Sequence, residues 1–274
     1  MFIRFFTFCF YFLFALGCQS QSSKDSISTW INVSDGVDVM VMNAPIKSIL
    51  GDSKLTIIRL KKDSVFAYLK MASAIDSVSK TVQSWADTFG FQLVVNAGMY
   101  DLSKTLQSRG FMQADSSVNN KIINASYNGV FSIINKRPEL KDLACNPSLK
   151  LQDEQSVFQS MRMLDCDGKE MDWKRKKQAC SMLVVGQDNE QNIYFIFTRS
   201  PYYHQDMVTF LKQMPFQLGE TIYLEGGPET SVYLNTPKMK LMLIGSYVSN
   251  TYPTDKNDHF WPLPNVIGFK FKEK

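Results

Sequence analysis

Two carboxylates flank a glycine pair in the stretch Tyr223-Leu224-Glu225-Gly226-Gly227-Pro228-Glu229-Thr230-Ser231. The apolar run before Glu225 reads as a short buried strand. Gly226-Gly227 reads as a break that accepts positive φ or lets a ligand approach the backbone. A strand that delivers a carboxylate onto such a break is a rigid mount for an acid or base. A plain β-turn with solvated glutamates would give the same pattern. A second strand end has similar character: Phe91-Gln92-Leu93-Val94-Val95 runs into Asn96-Ala97-Gly98-Met99-Tyr100-Asp101. There Asn96 offers a donor and an acceptor, Gly98 open backbone, and Asp101 a carboxylate. Arg162 interrupts the apolar stretch from Ser156 to Leu164, and a cation in such a run must be paired or face a ligand. Arg199 and Ser200 end a further strand.

If these strand ends converge, one site holds carboxylates, guanidiniums and bare main chain. Arginine forks onto phosphate or carboxylate oxygens, glycine turns present N–H groups to an anion, and carboxylate pairs cleave glycosidic bonds. Together they suit an anionic sugar such as a sugar phosphodiester. The expected catalytic residues are Glu225, as general acid/base or nucleophile, with Glu229 or Asp101 as partner. Arg162 and Arg199 would neutralise the phosphate and Asn96 would hold a sugar hydroxyl, with Gly98, Ser200, Gly226 and Gly227 completing the binding surface. No cofactor is evident. The carboxylates could take a divalent cation, although no metal-ligand spacing stands out. A binding protein that recognises envelope polysaccharide or sugar phosphate without cutting it would use the same arginines and glycines. Incubation with a UDP-sugar separates the two readings. A third, with Ser200 as nucleophile and His204 as base, lacks an elbow motif.

Most elements that must carry these residues read as strands. Val37, Val39 and Val41 share one face; Leu55–Leu60 and Val65–Leu69 follow; Cys180–Val185 and Ile193–Thr198 form a hairpin over the turn Gln187–Glu190. Tyr127-Asn128-Gly129 is a turn into a strand, and Lys240–Ile244 and Val266–Lys272 are late strands. Ile75, Val78, Val82, Trp85 and Phe89 recur at helical spacing, which predicts a helix over about 74–88 capped by Ser73 and stopped by Gly90. A second, short helix is expected over about 205–213. The expectation is one α+β domain over 28–274, with a mixed, largely antiparallel sheet and a few helices.

The 274 residues are 45% hydrophobic and 20% charged, an ordinary globular balance. A net charge of +4, with no basic stripe of interleaved aromatics in sequence, gives no case for nucleic acid. The dense basic run Lys174-Arg175-Lys176-Lys177 reads as a solvated loop. Residues 1–17 read as a secretory signal, a basic start followed by an apolar run too short to span. Ala15-Leu16-Gly17-Cys18 resembles a bacterial lipobox, with Ala15 where Leu is typical. That resemblance implies cleavage before Cys18, its lipidation, a polar tether over 18–27, and a membrane-anchored protein of the bacterial envelope, periplasmic or at the surface. Cys145, Cys166 and Cys180 are odd in number, so at most one pair forms among them, with Cys166–Cys180 an unforced option.

The blocks Val95-Asn96-Ala97-Gly98-Met99-Tyr100, Asn128-Gly129-Val130-Phe131, Gln159-Ser160-Met161-Arg162-Met163-Leu164 and Leu224-Glu225-Gly226-Gly227-Pro228-Glu229 resemble, in order and spacing, a known family. It is the phosphodiester glycosidase domain of bacterial periplasmic proteins, shared with the mammalian mannose 6-phosphate uncovering enzyme. The resemblance covers about residues 55–270. It implies an α+β fold, hydrolysis of a sugar-1-phosphodiester bond, and active-site roles for Asn96, Gly98, Glu225, Gly226 and Gly227. Many members have Asp-Gly-Gly-Gly-Ser where this chain has Glu225-Gly226-Gly227-Pro228-Glu229. The carboxylate is kept, one methylene longer, and a second is added.

Overall fold

The structure, a computed structural model, describes residues 29–102, 107–174 and 176–272. The expected signal segment, the tether and Cys18 lie outside the described residues. In chain order the elements are β1 (Ile31–Ser34), β2 (Val37–Asn43), β3 (Lys54–Leu60), β4 (Val65–Met71), α1 (Val82–Phe89) and β5 (Leu93–Asn96). They continue with β6 (Met112–Ala114), β7 (Ser117–Asn120), β8 (Gly129–Ile134), β9 (Arg137–Asp142), β10 (Ser156–Ser160) and β11 (Arg162–Leu164). The last are β12 (Ala179–Gln187), β13 (Ile193–Tyr203), α2 (His204–Lys212), β14 (Thr221–Gly226), β15 (Ser231–Asn235), β16 (Lys240–Ile244) and β17 (Asn265–Phe271).

The strands form three sheets in the orders β1-β2-β3-β13-β12-β14-β11, β7-β6-β10-β8-β9 and β16-β15-β5-β17-β4. Their ladders are antiparallel. The chain is therefore mostly β, with two α-helices among the described residues, and the single mixed sheet expected from sequence is three antiparallel ones. The Ser156–Leu164 run shows why. It breaks at Met161, so β10 joins β8 and β6 while β11 joins β14.

One apolar core draws side chains from all three sheets, including Leu183, Phe195 and Leu224 from the first, Phe131 and Phe158 from the second, and Val95, Val232 and Phe269 from the third. Burial of this kind is the main stabilising term, at about 25 cal/mol per Å² of apolar surface removed from water. The outer face of the first sheet carries a second cluster under α2, and the outer face of the third a cluster under α1.

Helix α1 begins at Val82, eight residues later than the spacing predicts. Ser77 takes φ 58°, and Asp76 accepts from Val78 N and Lys80 Nζ, a local turn that competes with helix. Thr81 rather than Ser73 is the cap, accepting from Ser84 N at 3.1 Å. Gly90 ends the helix with φ 66°, as expected. Cys145 pairs with Cys166, not Cys166 with Cys180, and Cys180 stays reduced and buried in β12. No helix among the described residues is long and apolar enough to cross a membrane.

Candidate active site

The site is built on the end of β14. Leu183 opposes Glu225 but Val184 opposes Tyr223, so Leu224 is the extra residue of a bulge. A bulge re-aims the side chain that follows it, here Glu225. One carboxylate oxygen of Glu225 accepts from Gly226 N at 3.0 Å. Gly226 is required by space: a Cβ there would stand 2.2 Å from the Tyr223 hydroxyl and 2.8 Å from Cys180 Sγ. Gly227 takes φ +74°, a conformation that glycine adopts without strain, and opens the 3-10 turn Gly227–Glu229.

Asn96, at the end of β5, locks that turn in place. Its amide donates to Glu229 O at 3.0 Å and accepts from Ser231 N at 2.8 Å. The two glycine-flanked loops are thus neighbours, and the Asn96 amide is spent on joining them rather than left to hold a sugar hydroxyl. Gln159 does the same for the segments around Phe111, Asn124 and Tyr127. Its amide accepts from Phe111 N and Asn124 N and donates to Asn124 O and Tyr127 O. Ser160 donates to Tyr223 O. Gly98 has φ +73° and its α-carbon faces Phe158.

Around Glu225 stand Glu229, Arg109 and Lys176, the charges that bear on its ionisation. Although part of Glu225 reaches solvent, its carboxyl is enclosed. Burial first, and the Glu229 charge second, push its pKa up to about 8. Burial also raises Glu229. Tyr100 and Tyr127 are raised by burial, and the negative charge of Glu225 adds to this at both. Tyr127 also has the Arg109 guanidinium beside it. Lys176 is an exposed residue, yet partial desolvation of its ammonium holds it below the usual lysine value. Beneath the pair, the Cys180 thiol is pushed up to about 12 by burial and meets the Tyr223 hydroxyl, so neither is a ready nucleophile at neutral pH.

The two arginines expected to hold phosphate are committed elsewhere. Arg162 pairs with fully buried Asp142 at 2.6 Å, beside Glu220, whose carboxyl burial pushes up to about 9. Arg199 ties down the last long loop, pairing with Asp255 at 2.8 Å and donating to Ile244 O, Asp255 O and Asn257 O. Ser200 accepts from Ser53 N at 2.8 Å and is buried. His204, stacked on Trp173, is held neutral by burial, with a pKa of about 4. The Ser200–His204 reading therefore finds no exposed nucleophile. Asp101 sits where the chain leaves the described residues, its N–H donating to Gln107 O.

Residues that the sequence left out of the site are Arg109, Lys176, Tyr100 and Tyr127. Tyr100 closed one motif block, Tyr127 stood immediately before another and Arg109 beside a glycine; Lys176 lay in a basic run that gave no sign of pointing inward. Among the described residues, the groups close enough to share a metal are Asp142, Cys145 and Cys166, and Asp165, Cys166 and Asp167. Both depend on a sulfur already in a disulfide. Two sizeable clefts lie away from the carboxylate pair: about 370 Å³ between the β3–β4, β8–β9 and β12–β13 turns, and about 380 Å³ beside Arg199. Neither is lined by Glu225 or Glu229.

The backbone matches the catalytic domain of zebrafish N-acetylglucosamine-1-phosphodiester alpha-N-acetylglucosaminidase, a structure auto-inhibited by its pro-peptide, with a TM-score of 0.61 at 16% identity over 90% of this chain and 88% of that one. It also matches a hypothetical protein from Synechocystis, with a TM-score of 0.58 at 9% identity over 89% of this chain and 64% of that one. At these identities the likeness is one of fold. Among curated protein sequences none matches this chain. The sequence pattern of the phosphodiester glycosidases matches residues 89–270, the span from the end of α1 through β17 that carries Asn96, Arg109, Gln159, Lys176, Glu225 and Glu229. The chain belongs to the phosphodiester glycosidase family.

Proposed function

We propose that the protein hydrolyses the bond between an anomeric carbon and the oxygen of a phosphodiester. One observation carries this reading: the Asn96 brace sets Glu229 beside the Glu225 strand end, on a rim where Arg109 and Lys176 are the cations acting on Glu225. Water adds to the anomeric carbon, and the bond from that carbon to the bridging oxygen breaks. The phosphate leaves with that oxygen. Glu225, protonated at neutral pH by burial, gives its proton to the leaving group. Glu229, once ionised, takes the proton from water. Arg109 and Lys176 offset the phosphate charge, in place of Arg162 and Arg199.

Incubation with UDP-N-acetylglucosamine tests this. The expected result is release of free sugar by the wild-type chain and a fall of roughly 10²–10⁴-fold in Glu225→Gln. Tight binding of the nucleotide sugar with no release by either protein would instead make the chain a binding module.

A further inference from the structure

The outer face of the third sheet brings together what no sequence run contains. On β4 the residues Val65, Ala67, Leu69 and Met71 face the core, which turns Phe66, Tyr68 and Lys70 outward. Lys270 opposes Phe66 across the β17–β4 ladder, and Val266 opposes both Lys70 and Asn96. Phe91 fills the space over Gly268, where a Cβ would stand 2.2 Å from its ring. The rings form a ladder, with Phe89 to Phe91 at 5.6 Å and Phe91 to Tyr68 at 5.5 Å.

Each ring carries an ammonium. Lys70 lies 5.0 Å from the Phe89 centroid, Lys270 6.0 Å from Phe91, Lys136 5.7 Å from both Tyr68 and Phe66, and Lys272 4.7 Å from Phe66. Among the described residues none of these four lysines has an ion pair. Asp115, which shares a cleft of about 100 Å³ with Lys70 and Lys136, takes its side-chain hydrogen bond from Gln155. At about 3.3 Å per strand residue, the stripe starts level with the Asn96 brace and runs roughly 20 Å away from it.

The geometry points to a binding face for an anionic glycan, a polymer with phosphodiester links along its length. This rests on the sugar-phosphodiester reading of the carboxylate site and extends it to a polymeric substrate. The lysines supply separated point charges for successive phosphates, and the aromatic platform positions them. A lipid surface fits less well. The rings lie under the ammoniums, and Phe66, the most exposed, is 38% accessible, so little apolar surface protrudes for insertion.

The test measures binding of a phosphomannan with mannose-1-phosphodiester links, of dephosphorylated mannan, and of phosphatidylcholine–phosphatidylglycerol vesicles. It uses Glu225→Gln full-length protein, with and without Lys136→Gln, Lys270→Gln and Lys272→Gln. The expected result is phosphomannan binding that weakens with salt and falls about tenfold or more in the lysine variant, no comparable binding of mannan or vesicles, and unchanged UDP-sugar turnover when the lysine changes are made in the active chain. Should the triple change unfold the chain, the exposed single change Lys270→Gln is expected to weaken binding about threefold. Unchanged phosphomannan affinity in the folded variants overturns the inference, as does vesicle binding that is equally tight and equally lysine-dependent. If phosphomannan binds as expected but the wild-type chain releases no sugar, the hydrolase reading fails and this face stands.

Discussion

At Glu225 two effects raise the pKa and three lower it, and the outcome decides the chemistry. Desolvation and the Glu229 charge outweigh the Gly226 N–H, Arg109 and Lys176, leaving the group at about 8. At pH 7 that is about ten protonated carboxyls for each ionised one, the state a proton donor needs. The folded pKa lies above the ordinary glutamate value of 4.5, so the folded chain binds this proton more strongly than the unfolded one. The associated stability is present at acid pH and is lost as pH rises through about 8. Glu225→Gln should therefore melt higher than wild type at pH 9, in a thermal melt, while losing activity. The cations divide in the same way. Arg109→Ala should raise KM for a phosphodiester about tenfold or more with little change in melting temperature. Arg162→Ala should cost about 3–5 kcal/mol by leaving Asp142 buried and unpaired, with KM unchanged in the folded fraction. Sequence showed that Arg162 needed a partner, but not that the partner was an aspartate at the end of β9, because that contact follows from sheet packing.

Between elements, the Asn96 amide is the joint that makes two strand ends one site. Asn96→Ala leaves the buried Ser231 N–H without its partner and the Glu229 carbonyl with the Ser231 hydroxyl alone, at a cost of about 1–3 kcal/mol. It should also lower kcat with KM nearly unchanged, because it frees the Glu229 turn rather than removing a substrate contact. Urea midpoints and steady-state kinetics on one preparation check both parts. An Asn96→Ala variant that loses affinity instead would return Asn96 to the sugar. The strand ends themselves were legible: apolar runs closing on Asn96-Ala97-Gly98 and on Glu225-Gly226-Gly227 marked close backbone approach, and both do approach. The helix start was not, because Ile75 and Val78 keep helical spacing yet are exposed on a turn held by Asp76. Apolar period alone does not distinguish a buried face from an exposed turn.

For the whole chain, sequence located most strands but not their division into three sheets, because inward faces look alike whichever sheet they line. The Lys–aromatic stripe was hidden for a related reason: its members come from β4, the β8–β9 turn, the end of α1 and the loop after it, β17 and the residue that follows it. The Cys145–Cys166 bond closes a loop with a sequence separation of 21 between the end of β9 and the turn after β11. Disulfides of this kind contribute about 2–4 kcal/mol. Dithiothreitol, or the pair Cys145→Ser with Cys166→Ser, should lower the melting temperature by several degrees, and Cys180→Ala should keep that reductant-dependent drop, because Cys180 is not part of the bond.

The most direct measurement is the pH dependence of kcat/KM for hydrolysis of a sugar-1-phosphodiester by the wild-type chain and by Glu225→Gln. Proton donation by Glu225 predicts a wild-type profile that falls on the alkaline side with an apparent pKa near 8, and a variant slower by about 10²–10⁴-fold that lacks this limb. Wild-type rates in Glu225→Gln, with the alkaline limb unmoved, would contradict it.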